Sequence, residues 1–308
     1  MDNAAKHLII GSRGSQLALW QSHWVAGELH ALGVETSLEI IKTTGDKITD
    51  VPLAKVGTKG LFTKELEEAL MERRIDLAVH SLKDMPTDLP AGLMLAAVPP
   101  REDPRDAIVG ATLLELRAGA RVGTSSLRRA AQLRAVRPDL QVEPVRGNLD
   151  TRLRKLDEGQ YDAIVLAAAG LRRLGWASRI AELLDPEVMC PAVGQGALAI
   201  ETRNGGDAAA AICARLTDTA TWQCVQAERA VLRALGGGCQ VPIGAHATID
   251  ELGRMNLTAV VASPDGVQVI SHHLHGSPGG AERLGGEMAA HLLANGAGLI
   301  LEAVYGAA

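Results

Sequence analysis

The stretch Ala120-Arg121-Val122-Gly123-Thr124-Ser125-Ser126-Leu127-Arg128-Arg129 decides the fold class. A short apolar strand runs into three hydroxyl side chains, which are typical caps for a helix that begins at Leu127. A strand that leads into a helix N-terminus is the unit of an α/β fold and a ready site for an anion. Arg128 and Arg129 stand in the first helical turn, where the helix dipole disfavours cations. We therefore predict that Thr124, Ser126 and these arginines bind an anionic ligand.

The same arrangement recurs twice further along the chain. The predicted strand at 142–145 ends at Arg146, and Arg152 lies in the early turns of the helix that follows. The predicted strand at 163–167 leads to Arg172-Arg173. Because guanidinium groups pair with carboxylates and phosphates, arginines at three successive strand ends predict a ligand with several such groups.

The first hundred residues predict a similar block. The apolar strand at 7–11 is followed by Arg13 and Ser15, just before a helix. The predicted strand at 75–79 runs into His80-Ser81-Leu82-Lys83-Asp84. Ligands of open α/β sheets bind beyond the carboxyl ends of the strands. We therefore expect Ser81, Lys83 and Asp84 to face a ligand.

Residues 46–60 form a long stretch with little periodicity, and such loops in compact domains are usually functional. Lys55 and Lys59 predict a lid over an acidic ligand, although solvated lysines are the default alternative. Phe62 begins the next predicted helix and is a further candidate for the site, with core packing as its alternative role.

A glycine-rich stretch, Leu235-Gly236-Gly237-Gly238-Cys239, ends a predicted helix that begins at about Thr221. Glycine allows close approach of another molecule, and an exposed thiol can react as a nucleophile. A structural turn with an incidental small apolar residue is the alternative. Alternating apolar residues at 257–261 and after the turn at 264–266 predict a hairpin that includes Val267, followed by a last helix.

These patterns predict an α/β fold of two lobes with mixed, mainly parallel sheets, plus a small α+β C-terminal domain. The turn-rich segment 191–196, which includes Gln195, precedes a predicted strand at 197–201 that returns the chain to the first lobe. The predicted domains are 1–99 with 197–216, then 100–196, then 217–308.

Composition excludes several classes of function. The chain has 308 residues, 47% of them hydrophobic and only 2% aromatic, so its cores must be built from aliphatic side chains. A net charge of −5 argues against a nucleic-acid or membrane-surface partner. The four cysteines have neither metal-ligand spacing nor a disulfide pattern, so we expect no metal. With no signal peptide or membrane-spanning run recognised, we expect a cytoplasmic protein.

The ordered set of these segments resembles the porphobilinogen deaminase (hydroxymethylbilane synthase) family over essentially the whole chain. Each segment alone is weak, but their order is specific. The matching segments are Ser12-Arg13-Gly14-Ser15-Gln16-Leu17-Ala18, Gly57-Thr58-Lys59-Gly60-Leu61-Phe62, Ala78-Val79-His80-Ser81-Leu82-Lys83-Asp84-Met85-Pro86, Arg101-Glu102-Asp103-Pro104-Arg105-Asp106, Gly123-Thr124-Ser125-Ser126-Leu127-Arg128-Arg129, Arg146-Gly147-Asn148, Pro191-Ala192-Val193-Gly194-Gln195-Gly196 and Gly237-Gly238-Cys239-Gln240-Val241-Pro242. Gln16 departs from the proline of many relatives without touching a predicted role.

The resemblance implies a fold, a cofactor and a reaction. The two α/β lobes would be similar to those of periplasmic binding proteins. A dipyrromethane cofactor would be attached to Cys239 by a thioether. It would prime the addition of four porphobilinogen molecules, each with loss of ammonia, before water releases hydroxymethylbilane. A monomer is expected from the family.

The resemblance also assigns roles to the residues. Asp84 would accept pyrrole N–H bonds and stabilise the positive charge that develops as ammonia leaves. The acetate and propionate groups would be bound by Arg13, Ser15, Lys83, Thr124, Ser126, Arg128, Arg129, Arg146, Arg152 and Arg173. Phe62, Ser81, Gln195, Lys55 and Lys59 would be further site or lid residues.

Two alternatives from other classes use the same strand-end arginines. A two-lobed binding protein or sensor for an anion would need neither Asp84 nor Cys239. A phosphoribosyl- or nucleotide-handling enzyme would hold phosphate at Thr124-Ser125-Ser126, but the sequence has no Walker motif. Both predict an unmodified Cys239.

Overall fold

The structure is a computed structural model that describes residues 7–47, 62–206, 208–237 and 241–306. The strands in these residues are β1 (His7–Ser12), β2 (Glu35–Ile40), β3 (Leu77–Ser81), β4 (Leu93–Ala97), β5 (Asp106–Val109), β6 (Arg121–Gly123), β7 (Gln141–Glu143), β8 (Ala163–Ala167), β9 (Ile180–Leu183), β10 (Leu198–Arg203), β11 (Ile243–Ile249), β12 (Met255–Ala262) and β13 (Val269–Gly276). The helices are α1 (Gln16–Ala31), α2 (Thr44–Lys47), α3 (Lys64–Met71), α4 (Leu127–Val136), α5 (Leu149–Asp157), α6 (Ala168–Arg173), α7 (Ala208–Ala214), α8 (Thr219–Ala234), α9 (Ala281–Ala294) and α10 (Ala297–Gly306).

The first sheet has the strand order β2-β1-β3-β10-β4. β1 pairs in parallel with β2 and β3, whereas β10 runs antiparallel to both β3 and β4. Four of the five strands therefore share one direction. Val25 and Leu29 of α1 are fully buried in a cluster with Ile10 and Leu77 of the sheet, which explains why this helix covers one face.

The second sheet repeats the pattern in the order β7-β6-β8-β5-β9. β6 pairs in parallel with β7 and β8, and β5 is the antiparallel strand. Its two faces carry separate apolar clusters, one around Val122 and Leu133 and the other around Ile164 and Leu171. Burial on both faces accounts for the continuous apolar strand at 163–167.

The third sheet is antiparallel, with the order β11-β12-β13. α9 buries Leu284, Met288 and Leu292 in the core of this sheet, as its apolar spacing predicts. The predicted hairpin is present, but Val267 lies in the turn and is 80% exposed, so its assignment to a strand was wrong. Together the three sheets confirm the predicted fold class of two mixed α/β lobes with a small α+β part.

The chain divides into two compact units. The first contains Met1–Glu102 and Ala197–Trp222, and the second contains Asp103–Gly196 and Gln223–Ala308. The three-domain division drawn from the sequence stays a prediction. No single helix in the described ranges is long and apolar enough to cross a bilayer, while Pro278–Ala294 and Ala297–Gly306 meet that requirement only as a pair bent by 83°.

Candidate active site

In the first unit, a single 3₁₀ turn, Leu82–Asp84, follows β3 and carries Lys83 and Asp84. The turn is anchored by its buried residue, because the Leu82 N–H donates to the Ala197 carbonyl at 3.0 Å. Met85 closes it with a 3.0 Å bond to the Leu82 carbonyl. Asp84 is exposed and Lys83 is half-buried, so both charged groups lie outside the apolar core.

Two predicted hydroxyl groups of this unit have structural partners. The Ser81 Oγ accepts a hydrogen bond of 2.9 Å from the Nε2 of Gln21, which is buried on α1. Ser15 is the N-cap of α1 and its Oγ accepts from the Ala18 N–H at 3.3 Å. These bonds fix the end of β3 and the start of α1 beside each other.

Arg13 and Phe62, both predicted site residues, are brought together by the fold. The guanidinium carbon of Arg13 lies 4.3 Å from the centroid of the Phe62 ring. Such a cation–π contact contributes about 0.5–1 kcal/mol at a partly exposed site. Phe62 precedes α3, which begins at Lys64 rather than at Phe62, so the aromatic ring lies before the helix and not within it.

In the second unit, the acidic partner of Arg128 and Arg129 is Asp106, the first residue of β5. The Arg128 Nη1 donates to Asp106 Oδ2 at 2.6 Å, and the Arg129 Nε donates to Oδ1 at 2.9 Å. Arg128 also donates to the Cys190 carbonyl and Arg129 to the Val165 carbonyl. All three charged side chains are buried, and the acidic group that these arginines contact belongs to the chain itself, so their binding of an anionic ligand stays a prediction.

Two buried guanidinium groups, those of Arg128 and Arg129, face the single carboxylate of Asp106. Burial alone would raise the pKa of Asp106, but the charges of Arg128 and Arg129 outweigh it and hold the pKa far below its usual range. The Nε of Arg128 is also buried without a hydrogen-bond partner among the described residues. An anionic ligand would supply an acceptor for this Nε.

Gln195 is fully buried against the same cluster. Its Nε2 donates to the Pro104 carbonyl at 2.7 Å and to Asp106 Oδ1 at 2.9 Å, while its Oε1 accepts from Arg129 Nη2 at 3.3 Å. An amide can donate and accept at once, so Gln195 joins the carboxylate to a guanidinium without adding charge.

Thr124 and Ser126 shape the start of α4. Ser126 is the N-cap, and its Oγ accepts from the Arg129 N–H at 3.4 Å. The Thr124 Oγ1 accepts from the Ser126 N–H at 3.2 Å. The predicted start of this helix at Leu127 is therefore confirmed.

The remaining predicted arginines are held by backbone carbonyls of nearby turns. Arg152 Nε donates to the Gly147 carbonyl at 2.7 Å, and Arg173 Nη2 donates to the Gly196 carbonyl at 2.7 Å. Arg146 is half-buried directly before Gly147. Gly147 has a φ of 107°, and a Cβ there would lie 2.7 Å from that of Thr151, so the turn requires glycine. Arg172 instead pairs with Asp103 at 2.9 Å.

Three predicted residues lie outside the described residues, namely Lys55, Lys59 and Cys239. The described chain before Cys239 extends to Gly237. Gly236, with a φ of 66°, donates to the Arg233 carbonyl, and Gly237 donates to the Leu232 carbonyl. This is a Schellman ending of α8, and it accounts for the first two glycines of the run.

Sequence reasoning missed the role of Asp106 and of Asp103. Both lie in the segment 101–106. Asp103 pairs with Arg105, two residues away, and with the distant Arg172, whereas both arginine partners of Asp106 are distant in the chain, where no spacing rule connects them. The one available signal was an aspartate placed at the start of an apolar strand, where a charge must be paired. The described residues contain no group of three or more side chains suited to hold a metal ion.

Comparison with known proteins shows which family the chain resembles. Residues 8–211 match the family domain described as "Porphobilinogen deaminase, dipyromethane cofactor binding domain", and residues 222–294 match "Porphobilinogen deaminase, C-terminal domain". The chain is 52% identical to the porphobilinogen deaminase of Syntrophobacter fumaroxidans over 96% of this chain and 97% of that protein. It is 54% identical to that of Syntrophotalea carbinolica over 96% of each. Among solved structures, it is similar to the methionine-binding protein MetQ, with 15% identity, a TM-score of 0.45, and coverage of 71% of this chain and 90% of that one.

Proposed function

The chain belongs to the porphobilinogen deaminase family, and from that premise we propose how its own residues carry out the reaction. The enzyme is a transferase of tetrapyrrole biosynthesis with a dipyrromethane cofactor. It deaminates four porphobilinogen molecules, joins them head to tail on that primer, and releases hydroxymethylbilane by hydrolysis. The cofactor, when bound, supplies the terminal pyrrole to which the first substrate unit is joined.

The observation that supports this function on the chain's own residues is the buried pair of guanidinium groups around Asp106, where the Arg128 Nε has no acceptor among the described residues. We assign the carboxylates of the cofactor and growing product to this cluster, because each pyrrole unit adds an acetate and a propionate. Arg128 and Arg129 would bind them with Thr124, Ser126, Arg146, Arg152 and Arg173. Asp106 and Gln195 would hold the two buried guanidinium groups in place. One internal carboxylate against two arginines keeps their forks aligned before the ligand arrives.

In the first unit, the proposed catalytic residue is Asp84. Its carboxylate is exposed on an anchored turn, so it can accept N–H bonds from the pyrrole of a substrate molecule. An ionised acceptor at that position stabilises the positive charge that develops as ammonia leaves, and it can take up a proton. Lys83, Arg13 and Ser15 would bind substrate carboxylates, with Ser81 and Phe62 beside them. Lys55 and Lys59 are proposed as residues of a lid.

Cys239 is the proposed attachment point of the cofactor, through a thioether. The other cysteines, Cys190, Cys213 and Cys224, are buried free thiols. A cysteine packed in the core has no access to a bulky reagent, so the four cysteines of the chain are not equivalent candidates. Free thiols are also typical of a reducing compartment, which supports our proposal of a cytoplasmic enzyme. We further propose that it acts as a monomer, which light scattering of the purified protein tests. We also propose that it has no nucleic-acid or membrane partner.

The experiment that tests the function is an intact mass measurement of the purified protein, with peptide mapping. We expect an added mass of two linked pyrrole units on the Cys239 peptide, and bare thiols on the other three. Cys239→Ser should carry no adduct and should release no ammonia from porphobilinogen. If wild-type Cys239 stays bare after incubation with porphobilinogen and no ammonia appears, the proposal is wrong and an anion-binding protein becomes the better hypothesis.

A further inference from the structure

A second cluster of ionisable groups lies behind the turn that carries Asp84. His80, on β3, faces Glu201, on β10, with 3.1 Å between His80 Nε2 and Glu201 Oε2. Their side chains are only 4% and 0% exposed. An ionised carboxylate can only accept, so His80 donates from Nε2. The pair ties β3 to β10 one residue before Ser81.

Glu201 has a second oxygen that this pair does not satisfy. Its Oε1 is buried and has no hydrogen-bond partner among the described residues. Glu67 is a half-buried residue of α3, and its Oε1 is likewise buried without a hydrogen-bond partner among the described residues. The Thr63 hydroxyl lies beside Glu67 and His80 faces Glu201, but two carboxylates that are both ionised would still bring two negative charges into the interior, which is costly.

One added proton removes this conflict, because a protonated carboxyl group donates as well as accepts. We propose that Glu67 is protonated at neutral pH, that its proton is shared with Glu201, and that Glu67, Glu201 and His80 form a buried positioning network for the site. A proton rather than a cation is the proposed occupant, since the described residues form no group suited to a metal ion.

The electrostatic surroundings of Glu67 support this protonation state. Burial raises the pKa of Glu67, and the negative charges of Glu201 and Glu68 act in the same direction, outweighing the opposite effects of Thr63 and His80. Arg203, the other charged group that β10 brings near α3, is bonded to Asp76 at 3.0 Å and to the Leu70 and Ile75 carbonyls. The Arg203 guanidinium is therefore held at the C-terminal end of α3.

The network connects the two parts of the site in the first unit. Glu67 lies one helical turn after Thr63 and donates its backbone N–H to the Thr63 carbonyl at 2.8 Å, and Phe62 comes directly before. His80 precedes Ser81 and the turn of Asp84. Loss of the shared proton would leave two buried negative charges that push α3 away from β10. The positioning role rests on the function proposed for Asp84, whereas the protonation of Glu67 does not.

The test uses the holoenzyme and its Glu67→Gln variant, with Glu68→Gln as the control on the exposed side of the same helix. Glutamine keeps a donor where the protonated carboxyl has one. We expect Glu67→Gln to fold and to keep kcat at neutral pH within about twofold of wild type. Its kcat should persist into the alkaline range, where that of wild type and of Glu68→Gln falls. Wild type should also lose stability relative to Glu67→Gln as the pH rises from the usual glutamate range, because a raised folded-state pKa favours the folded protein only while the proton is bound.

A spectroscopic measurement separates the two halves of the inference. Infrared difference spectra at neutral pH should show the carbonyl stretch of one protonated carboxyl group in wild type, Glu68→Gln and Asp84→Asn, but not in Glu67→Gln. Absence of this band in wild type, or its survival in Glu67→Gln, would overturn the protonation. If the band behaves as expected but Glu67→Gln has the pH profile of wild type, the positioning role is wrong. If wild type shows the infrared band of the protonated carboxyl group but does not turn over porphobilinogen, only the proposed function is wrong.

Discussion

Asp106 shows how much a single buried carboxylate can determine. It is 0% exposed, and its two oxygens hold Arg128 and Arg129. Its role could not be inferred from the sequence, because the strand that carries it meets α4 only after folding. The sequence predicted that these arginines bind the anions of a ligand, which stays a prediction, and the anion that they contact in the structure is internal.

We expect Asp106→Asn to destabilise the enzyme by about 3–5 kcal/mol, because it leaves two buried guanidinium groups without a counter-charge. Urea unfolding at neutral pH measures this loss. Asp157→Asn is the matched control, since the Asp157–Arg179 pair is exposed and should contribute less than about 1 kcal/mol. Equal effects of the two substitutions would contradict the role of Asp106.

The difference in stability between wild type and Asp106→Asn should change with pH in a defined direction. The pKa of Asp106 lies below its model-peptide value of 3.8 in the folded protein, so its stabilising contribution is complete above that value. It is lost only as the pH falls from there towards the depressed pKa. The stability gap between wild type and Asp106→Asn should therefore be constant near neutrality and should narrow in strong acid.

Asp84 is the residue on which turnover should depend most. Asp84→Asn keeps the shape of an exposed side chain but removes its charge, so we expect unchanged stability and a kcat reduced by about 100- to 1000-fold. Steady-state assays with porphobilinogen, alongside Asp88→Asn as a nearby exposed control, measure this. Turnover like that of wild type in Asp84→Asn would remove Asp84 from the mechanism.

At the scale of elements, α8 and α9 approach each other through one glycine. A Cβ on Gly285 would overlap the Ala227 carbonyl oxygen and lie 2.6 Å from the Ala230 Cβ. The adjacent Gly286 has no atom within 4 Å of the same position. The sequence predicted the apolar face of α9 from its spacing, but two neighbouring glycines look identical in a sequence, and only the packing separates their roles.

We expect opposite effects from alanine at these two positions. Gly285→Ala should destabilise by about 1–3 kcal/mol, because the backbone of α8 must move. Gly286→Ala should stabilise by about 0.5–1 kcal/mol, since glycine is a poor residue within a helix. Thermal unfolding of the two variants tests the pair. A stabilising Gly285→Ala would mean that the helices are further apart than the structure shows.

At the scale of the whole molecule, one buried carboxylate of the second unit joins the turn at 191–196 to the third sheet. Glu228 of α8 is fully buried, and it accepts from the Gly194 N–H at 2.7 Å and the Ala247 N–H at 2.8 Å. Gly194 adjoins Gln195, and Ala247 belongs to β11. One carboxylate therefore connects the turn that supports the arginine cluster with the sheet that follows Cys239.

Glu228→Gln should cost about 2–3 kcal/mol, because the amide nitrogen would face a backbone N–H and leave a buried donor unsatisfied. Urea unfolding is the measurement. Glu287→Gln, at an exposed pair with Arg283, provides a control that should be close to neutral. A neutral Glu228→Gln would show that the two backbone donors are satisfied in another way.

The repeat within the fold illustrates what sequence reasoning can and cannot find. The strand ends with arginines indicated two α/β blocks, and strand β10 was predicted at nearly its observed position. The shared strand order of the first two sheets could not be predicted, since no sequence repeat of fixed period accompanies it. Pairing order depends on contacts between segments more than a hundred residues apart, such as β3 with β10.

That shared strand order has a consequence for synthesis on the ribosome. Every strand of the second sheet lies within residues 106–183, so this sheet can close as soon as that segment has emerged. The first sheet begins at His7 but places β10 between β3 and β4. Its earliest strands must therefore wait, with an unfilled interior position, until residue 203 has been translated. The first sheet is the earlier one to begin and the later one of the two to be completed.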